Sequence, residues 1–360
     1  MNALHTRWAV RLAVLLCLPL LLGMPAPEAT DELSIAQLRA RYAGPPDSWP
    51  RPELLPGAVF EEFAPVPASP VLDPRWVALG ERLFHERHLS ASGQIACASC
   101  HAPELGFTDG LPVSAGHDRQ KGTRSAPPLF TSAWTPQLFW DGRSDSLEAQ
   151  AVEPLVHPRE MAAQLDAITA WVNGDAGYRD AYRAVQGERP IVLADITQAL
   201  ATFQRSLRPP GNRWDRVFSR GIDALDDQQL HGLHLFRTKA GCANCHSGPL
   251  LTDNRFHNLG LARIGTPQQD LGRYAVTGKP EDIGAFRTPS LRGLIHTRPY
   301  MHNGSIPFLE AVVLLYAGGG GVAHVPASND LPASQRSPLL QERALTSEER
   351  KALVAFLQTL

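Results

Sequence analysis

The sequence predicts a mostly α-helical chain built from two related halves, each wrapped by long irregular loops. Three observations predict it. Apolar residues recur at helical spacing in several stretches, no alternating strand pattern is convincing, and one set of motifs occurs twice in the same order. The 360 residues allow two domains of ordinary size, and a composition 43% hydrophobic and 19% charged can bury real cores. The formal net charge of −2 gives no electrostatic reason to expect nucleic acid.

Residues 1–26 read as a secretory signal. Arg7 and Arg11 precede an apolar run from Leu12 to Met24, too short for a comfortable membrane span, and cleavage is expected among Pro25 to Ala29. That reading places the mature protein in the periplasm. Residues 27–70 are proline-rich and read as an extended arm lying on the body, with no core of its own. Asp73-Pro74 supplies an N-cap and a first-turn proline, and Trp76, Leu79 and Leu83 follow at helical spacing to an end near His85. His117 to Ser144 reads as a loop. Ser146–Val152 and Met161–Val172 look helical, and Ile196, Leu200, Phe203 and Leu207 mark another amphipathic helix. Pro209-Pro210-Gly211 is the best boundary, giving halves at 71–210 and 211–360. Asp226 with Gln229 forms a capping box, and Thr346 with Glu349 forms another ahead of Leu353, Phe356, Leu357 and Leu360. Between them, Gly248 to Pro289 reads as irregular, and Leu309 to Tyr316 as a helix stopped by Gly318-Gly319-Gly320-Gly321.

The repeated motif with the most chemistry is Cys97-Ala98-Ser99-Cys100-His101, matched by Cys242-Ala243-Asn244-Cys245-His246. C-x-x-C-H is the attachment signature of c-type haem. Two thiols tether the ring through its vinyl groups, and the following histidine is placed to bind iron from one face. Zinc held by the two C-x-x-C pairs is the alternative. Of five cysteines, Cys17 falls in the leader and four fall in these motifs, so none is left for a disulfide.

The duplication extends beyond the cysteines. Gly80-x-x-Leu83-Phe84 precedes the first motif and Gly232-x-x-Leu235-Phe236 the second. Arg124, Trp140-Asp141-Gly142 and Leu147-Glu148-Ala149 follow the first; Arg287, His302-Asn303-Gly304 and Leu309-Glu310-Ala311 follow the second. Twelve residues past Gly142 is Pro154, and twelve past Gly304 is Tyr316. If this helix faces the second side of each haem, the C-terminal haem is offered a phenol and the N-terminal haem a proline, which cannot ligate. One haem then keeps an open face. Alternatively, Tyr316 is a core aromatic and Pro154 a helix breaker. Gln150 and Glu160 flank the proposed open face, where a carboxylate could move a proton between peroxide oxygens. Glu160 could equally be a solvated surface group. His117, on a glycine loop, could be a removable sixth ligand or an exposed loop histidine.

Together with Gly116-His117-Asp118, Gln137-Leu138-Phe139-Trp140-Asp141-Gly142-Arg143, Thr288-Pro289-Ser290-Leu291-Arg292 and Pro299-Tyr300-Met301-His302-Asn303-Gly304, these motifs carry a resemblance. From about Val71 to Leu360 the sequence resembles the bacterial di-haem cytochrome c peroxidase family, which includes MauG. The resemblance implies two cytochrome-c-like helical domains, a peroxidatic N-terminal haem c and an electron-transfer C-terminal haem c. It implies that Gln150 and Glu160 line the peroxide pocket, that Trp140 lies between the haems, and that His117 matches a loop histidine released on reductive activation. It also implies a calcium ion bound partly by the carbonyls of Thr297 and Pro299, with Ser125 where the family has asparagine, and dimers are common in the family.

One departure bears on the reaction. Many family members place methionine where this chain has Tyr316, and Met301 is in the wrong register to replace it. Phenolate is a harder, anionic donor that stabilises ferric and higher states. It favours storing oxidising equivalents on both haems, as in MauG-like members. Against that, Lys239-Ala240-Gly241 stands where MauG has a tryptophan, so the chain mixes both patterns. The main expectation is a periplasmic peroxidase that reduces hydrogen peroxide to water with electrons from a small cytochrome c or cupredoxin. The alternative is a MauG-like oxidase that uses peroxide, through a bis-Fe(IV) state, to oxidise tryptophan or tyrosine of a partner protein. A non-enzymatic electron carrier would need two saturated haems and would leave Gln150 and Glu160 without a role.

Overall fold

The computed structural model describes residues 33–360, so the expected leader and the first residues of the arm lie outside the described residues. The helices are α1 (Ile35–Tyr42), α2 (Pro74–Phe84), α3 (Leu147–Val156), α4 (Leu165–Gly174), α5 (Ala176–Gln186), α6 (Leu193–Ser206), α7 (Arg213–Arg220), α8 (Asp227–Arg237), α9 (Tyr274–Thr277), α10 (Leu309–Ala317) and α11 (Ser347–Leu357). Two small antiparallel ribbons pair β1 (Phe256–Asn258) with β2 (Ala285–Arg287) and β3 (His324–Val325) with β4 (Ser334–Gln335).

Each half is organised on one close helix crossing. In the first, Gly80 of α2 meets α6 so tightly that a Cβ would collide with the Ala199 carbonyl and the Phe203 side chain. In the second, Gly232 of α8 meets α11 in the same way, against the Ala352 carbonyl and Phe356. A missing side chain lets the two backbones approach, and the repeated Gly-x-x-Leu-Phe pattern marks both crossings. Leu83 and Phe84, and Leu235 and Phe236, are buried beside them. Phe84 packs on Phe203 at 5.0 Å between ring centres, and Phe236 on Phe356 at 5.3 Å. Burying such rings contributes on the order of 1.5–3 kcal/mol each.

The loops repeat as well. Leu138 N–H donates to Ser144 and Tyr300 N–H to Ile306, both across 2.7 Å. Each turn carries a non-glycine residue in the left-handed region one position before its aromatic: Phe139 at φ 65° before Trp140, and Met301 at φ 74° before His302. The halves interlock through these turns. Arg287 of the second half donates its N–H to the Trp140 carbonyl, and Ser125 of the first donates to the His302 carbonyl, both across 2.8 Å. Accordingly Ile35–Leu360 packs as one compact unit.

Several elements differ from expectation. The stretch expected to be helical from Met161 begins its helix at Leu165, because residues 157–163 turn back under the end of α3, with Ala162 in the left-handed region. Helices α5 and α7 are additional, each burying only two residues, Tyr178 with Tyr182 and Trp214 with Val217. The arm contains α1 and lends Tyr42, Trp49 and Phe63 to the second half's core around Trp214. Buried Arg237 fastens it through Glu62.

Candidate haem sites

Each C-x-x-C-H motif opens a wall of its own cavity. Cys97, Cys100 and His101 line a cavity of about 460 Å³ together with Gln150, Pro154 and Glu160. Cys242, Cys245 and His246 line a second, of about 180 Å³, together with Tyr316, Thr297 and Pro299. The two C-x-x-C pairs are thus apart, which removes the shared zinc site as an option. Among the described residues, the one cluster of three metal-capable groups is Cys245, Asp253 and His257.

The histidines are set for ligation by the backbone. His101 Nδ1 lies 2.9 Å from the carbonyl oxygen of Phe107, and His246 Nδ1 lies 3.0 Å from that of Leu251. A carbonyl only accepts, so each Nδ1 carries the proton and each Nε2 keeps its lone pair for a metal. Both acceptors sit in the left-handed region, Phe107 at φ 57° and Leu251 at φ 55°. Such backbone costs free energy and is found where a site demands it. Burial holds both imidazoles below the usual histidine range, so they are neutral donors. The four motif cysteines are free, and burial pushes Cys97 up to about 12 and Cys100 to about 11, with Cys242 and Cys245 to about 12. Two adjacent neutral thiols and a lone-pair-bearing imidazole on one apolar wall fit covalent haem c in both cavities.

The opposite walls differ. Pro154 sits inside α3 and leaves the Gln150 carbonyl without its helical donor. After α3 the chain turns back, Met161 N–H donating to the Pro154 carbonyl across 3.1 Å, and this brings Glu160 to the same cavity. Tyr316 occupies the last turn of α10, which ends there because Gly319 at φ 77° and Gly320 at φ 98° turn back to donate to the Tyr316 and Leu315 carbonyls. Burial first, and then the thiols Cys245 and Cys242, raise the Tyr316 phenol above its ordinary value.

The remaining expected site residues lie elsewhere on these walls or off them. Trp140 lines both cavities, its indole N–H donating to the Ser125 carbonyl across 2.8 Å. Thr297 and Pro299 line the second cavity only, and Ser125 lines both. His117 is not among the lining residues. Gly116 is, while His117 Nε2 lies 3.5 Å from Asp118 and its Nδ1 is buried without a partner. Sequence reasoning did not find Phe107 and Leu251, because any residue carries a carbonyl. It also passed over His157, whose Nδ1 lies 3.7 Å from Glu160.

A family model described as di-haem cytochrome c peroxidase matches residues 74–223. The methylamine utilization protein MauG of Methylorubrum extorquens is 38% identical over 92% of this chain and 86% of its own length. The chain belongs to the di-haem cytochrome c peroxidase family. The cytochrome-c peroxidase IdrP1 of Pseudomonas sp. strain SCT is 33% identical over 82% of this chain and 83% of its own. A crystal structure of a MauG-like protein associated with microbial copper homeostasis superposes with a TM-score of 0.73 at 34% identity, covering 83% of this chain and 93% of that one. As a di-haem peroxidase, this protein is an oxidoreductase acting on peroxide, and it carries two covalently bound haem c groups in cytochrome-c-like helical halves. Among the described residues of this peroxidase, no helix is long and apolar enough to cross a membrane.

Proposed function

We propose that this peroxidase works in the periplasm, released from a leader at 1–26, and reduces hydrogen peroxide to water with electrons from a small cytochrome c or cupredoxin. The arm at 27–70 precedes an N-terminal haem domain at 71–210 and a C-terminal one at 211–360. Cys97 and Cys100 hold one haem with His101 as its ligand, and Cys242 and Cys245 hold the other with His246 and Tyr316. The observation that carries the reading is the asymmetry of the two cavities, one with Pro154, Gln150 and Glu160 on its wall, the other with Tyr316.

Bound haem would supply a redox-active iron and the electrons that peroxide reduction needs. The chain's own residues do the rest. His101 keeps its Nε2 lone pair because Phe107 holds the proton on Nδ1. Pro154 offers no ligand, so the first site admits a small molecule. Glu160 would take a proton from one peroxide oxygen and return it to the other. Gln150 orients the peroxide by hydrogen bonding. Trp140, on both walls, offers the route for electrons between the sites. His117 reaches the first site only after its loop swings inward. A calcium ion held by the Thr297 and Pro299 carbonyls would steady the second wall.

A second reading, oxidation of tryptophan or tyrosine on a partner protein, is favoured by Tyr316 and by the likeness to MauG. Stopped-flow spectra of the di-ferric protein with one equivalent of peroxide decide between them. Rapid oxidation of a reduced cytochrome or cupredoxin, required before further turnover, supports the peroxidase. A long-lived species two electrons above the di-ferric state, formed without prior reduction, supports the second reading.

A further inference from the structure

Arg287 stands where the two cavities meet and lines both of them. Its own hydrogen bonds go only to backbone carbonyls, from Nε to Phe139 across 3.4 Å and from Nη1 to Thr288 across 3.2 Å. No carboxylate pairs with it among the described residues, and burial pulls its pKa down to about 10. Three other inward-facing arginines are matched: Arg237 with Glu62, Arg292 with Asp215, and Arg124 with both Asp141 and Asp270.

The duplication shows what is particular to this position. The Arg287 N–H bonds the Trp140 carbonyl as the Ser125 N–H bonds the His302 carbonyl, so a guanidinium stands in the second half where the first carries a small hydroxyl. A guanidinium facing a cavity with no counter-charge is costly, and it becomes favourable when an anion arrives with a ligand. Trp140, also on the shared wall, has already spent its indole N–H on the Ser125 carbonyl. Haem c brings carboxylates: thioether links fix the vinyl side of each ring at the cysteines and leave two propionates free. A planar fork of N–H donors suits carboxylates.

We propose that Arg287 is a shared propionate anchor, one cation that neutralises a carboxylate from each haem. It rests on the assignment of the two cavities to the haems made above, and is independent of which reaction the protein performs. A cation held near both irons favours their ferrous states, so Arg287 sets both potentials together.

The test is spectroelectrochemical titration of the loaded protein, with haem content and attachment read by mass spectrometry of the intact chain and its haem peptides. Arg287→Gln is expected to lower the ferrous-to-ferric ratio of both haems at least tenfold at a fixed potential, about 59 mV for one electron. Arg287→Lys, which keeps the charge, is expected to stay within about threefold of the wild type. Arg124→Gln, at a cation that lines only the first cavity, is expected to leave the second haem unmoved. Unchanged potentials in a fully loaded Arg287→Gln protein overturn the proposal, and so does a shift confined to one haem or an equal shift in Arg287→Lys. Where Arg287→Gln takes up no haem, recovery of two haems in Arg287→Lys supports the charge assignment, and failure of both overturns it. Wild-type haem mapped away from Cys97, Cys100, Cys242 and Cys245 would strike the cavity assignment instead.

Discussion

The backbone N–H of His117 donates to the carbonyl oxygen of Glu160 across 2.7 Å. The preceding Gly116 packs so closely that a Cβ there would press on the Arg159 carbonyl and on the Glu160 backbone. The loop histidine and the candidate proton carrier are therefore parts of one mechanical unit.

Gly116→Ala should push that unit apart. Its peroxide reaction should slow by about 10²-fold, the scale on which a small misplacement near reacting atoms acts. Gly122→Ala, where a Cβ meets nothing closer than 3.8 Å, should react at nearly the wild-type rate. Equal rates for the two variants in stopped-flow mixing with peroxide would separate the loop from the chemistry.

Glu160→Gln keeps the shape of the side chain and removes its basicity. The second-order rate with peroxide should fall by about 10²–10⁴-fold, with haem content and resting spectrum unaltered. A wild-type rate would take the carboxylate out of the mechanism.

Tyr316→Met exchanges a phenol for a thioether on the wall that also carries His246. The C-terminal haem should become easier to reduce, while the N-terminal haem keeps its potential. A redox titration that finds no change at the C-terminal haem would show that the phenol is not a ligand.

His234 in α8 is held down to about 4, chiefly by burial, with its Nδ1 3.0 Å from the Tyr42 hydroxyl of the arm. A histidine depressed in the folded state binds its proton more readily when unfolded. Its stabilising share is complete above about pH 6.5 and is lost as pH falls from there through about 4. His234→Gln should flatten the loss of stability over that window, measured by denaturant unfolding at several pH values. An unchanged slope would mean that other groups control the acid limb.

Much of this was legible before the structure. Asp73, Asp226 and Thr346 announce their helices because capping is local chemistry, and each accepts a backbone N–H as expected. Gly80 and Gly232 announce both helix crossings because the pattern is repeated. Tyr316 and Pro154 could be placed on opposite cavities by counting along two equivalent helices. What was hidden has physical causes too. Helices α5 and α7 bury too few residues for a periodic signal, and the two ribbons are two or three residues long. The Phe107 and Leu251 carbonyls have no residue-type signature. Arg287 looks like any arginine until its surroundings show that nothing answers its charge.

The exchanged backbone bonds, Arg287 to Trp140 and Ser125 to His302, have a consequence for ancestry. A lone half would leave both its donor and its acceptor facing water, with Gly142 or Gly304 bared where Phe256 or Pro112 now covers it. Two copies of one half, turned to face each other, would satisfy every one of these contacts reciprocally. The single chain therefore has the form of a fused homodimer whose two copies are no longer alike, one carrying proline where the other carries tyrosine.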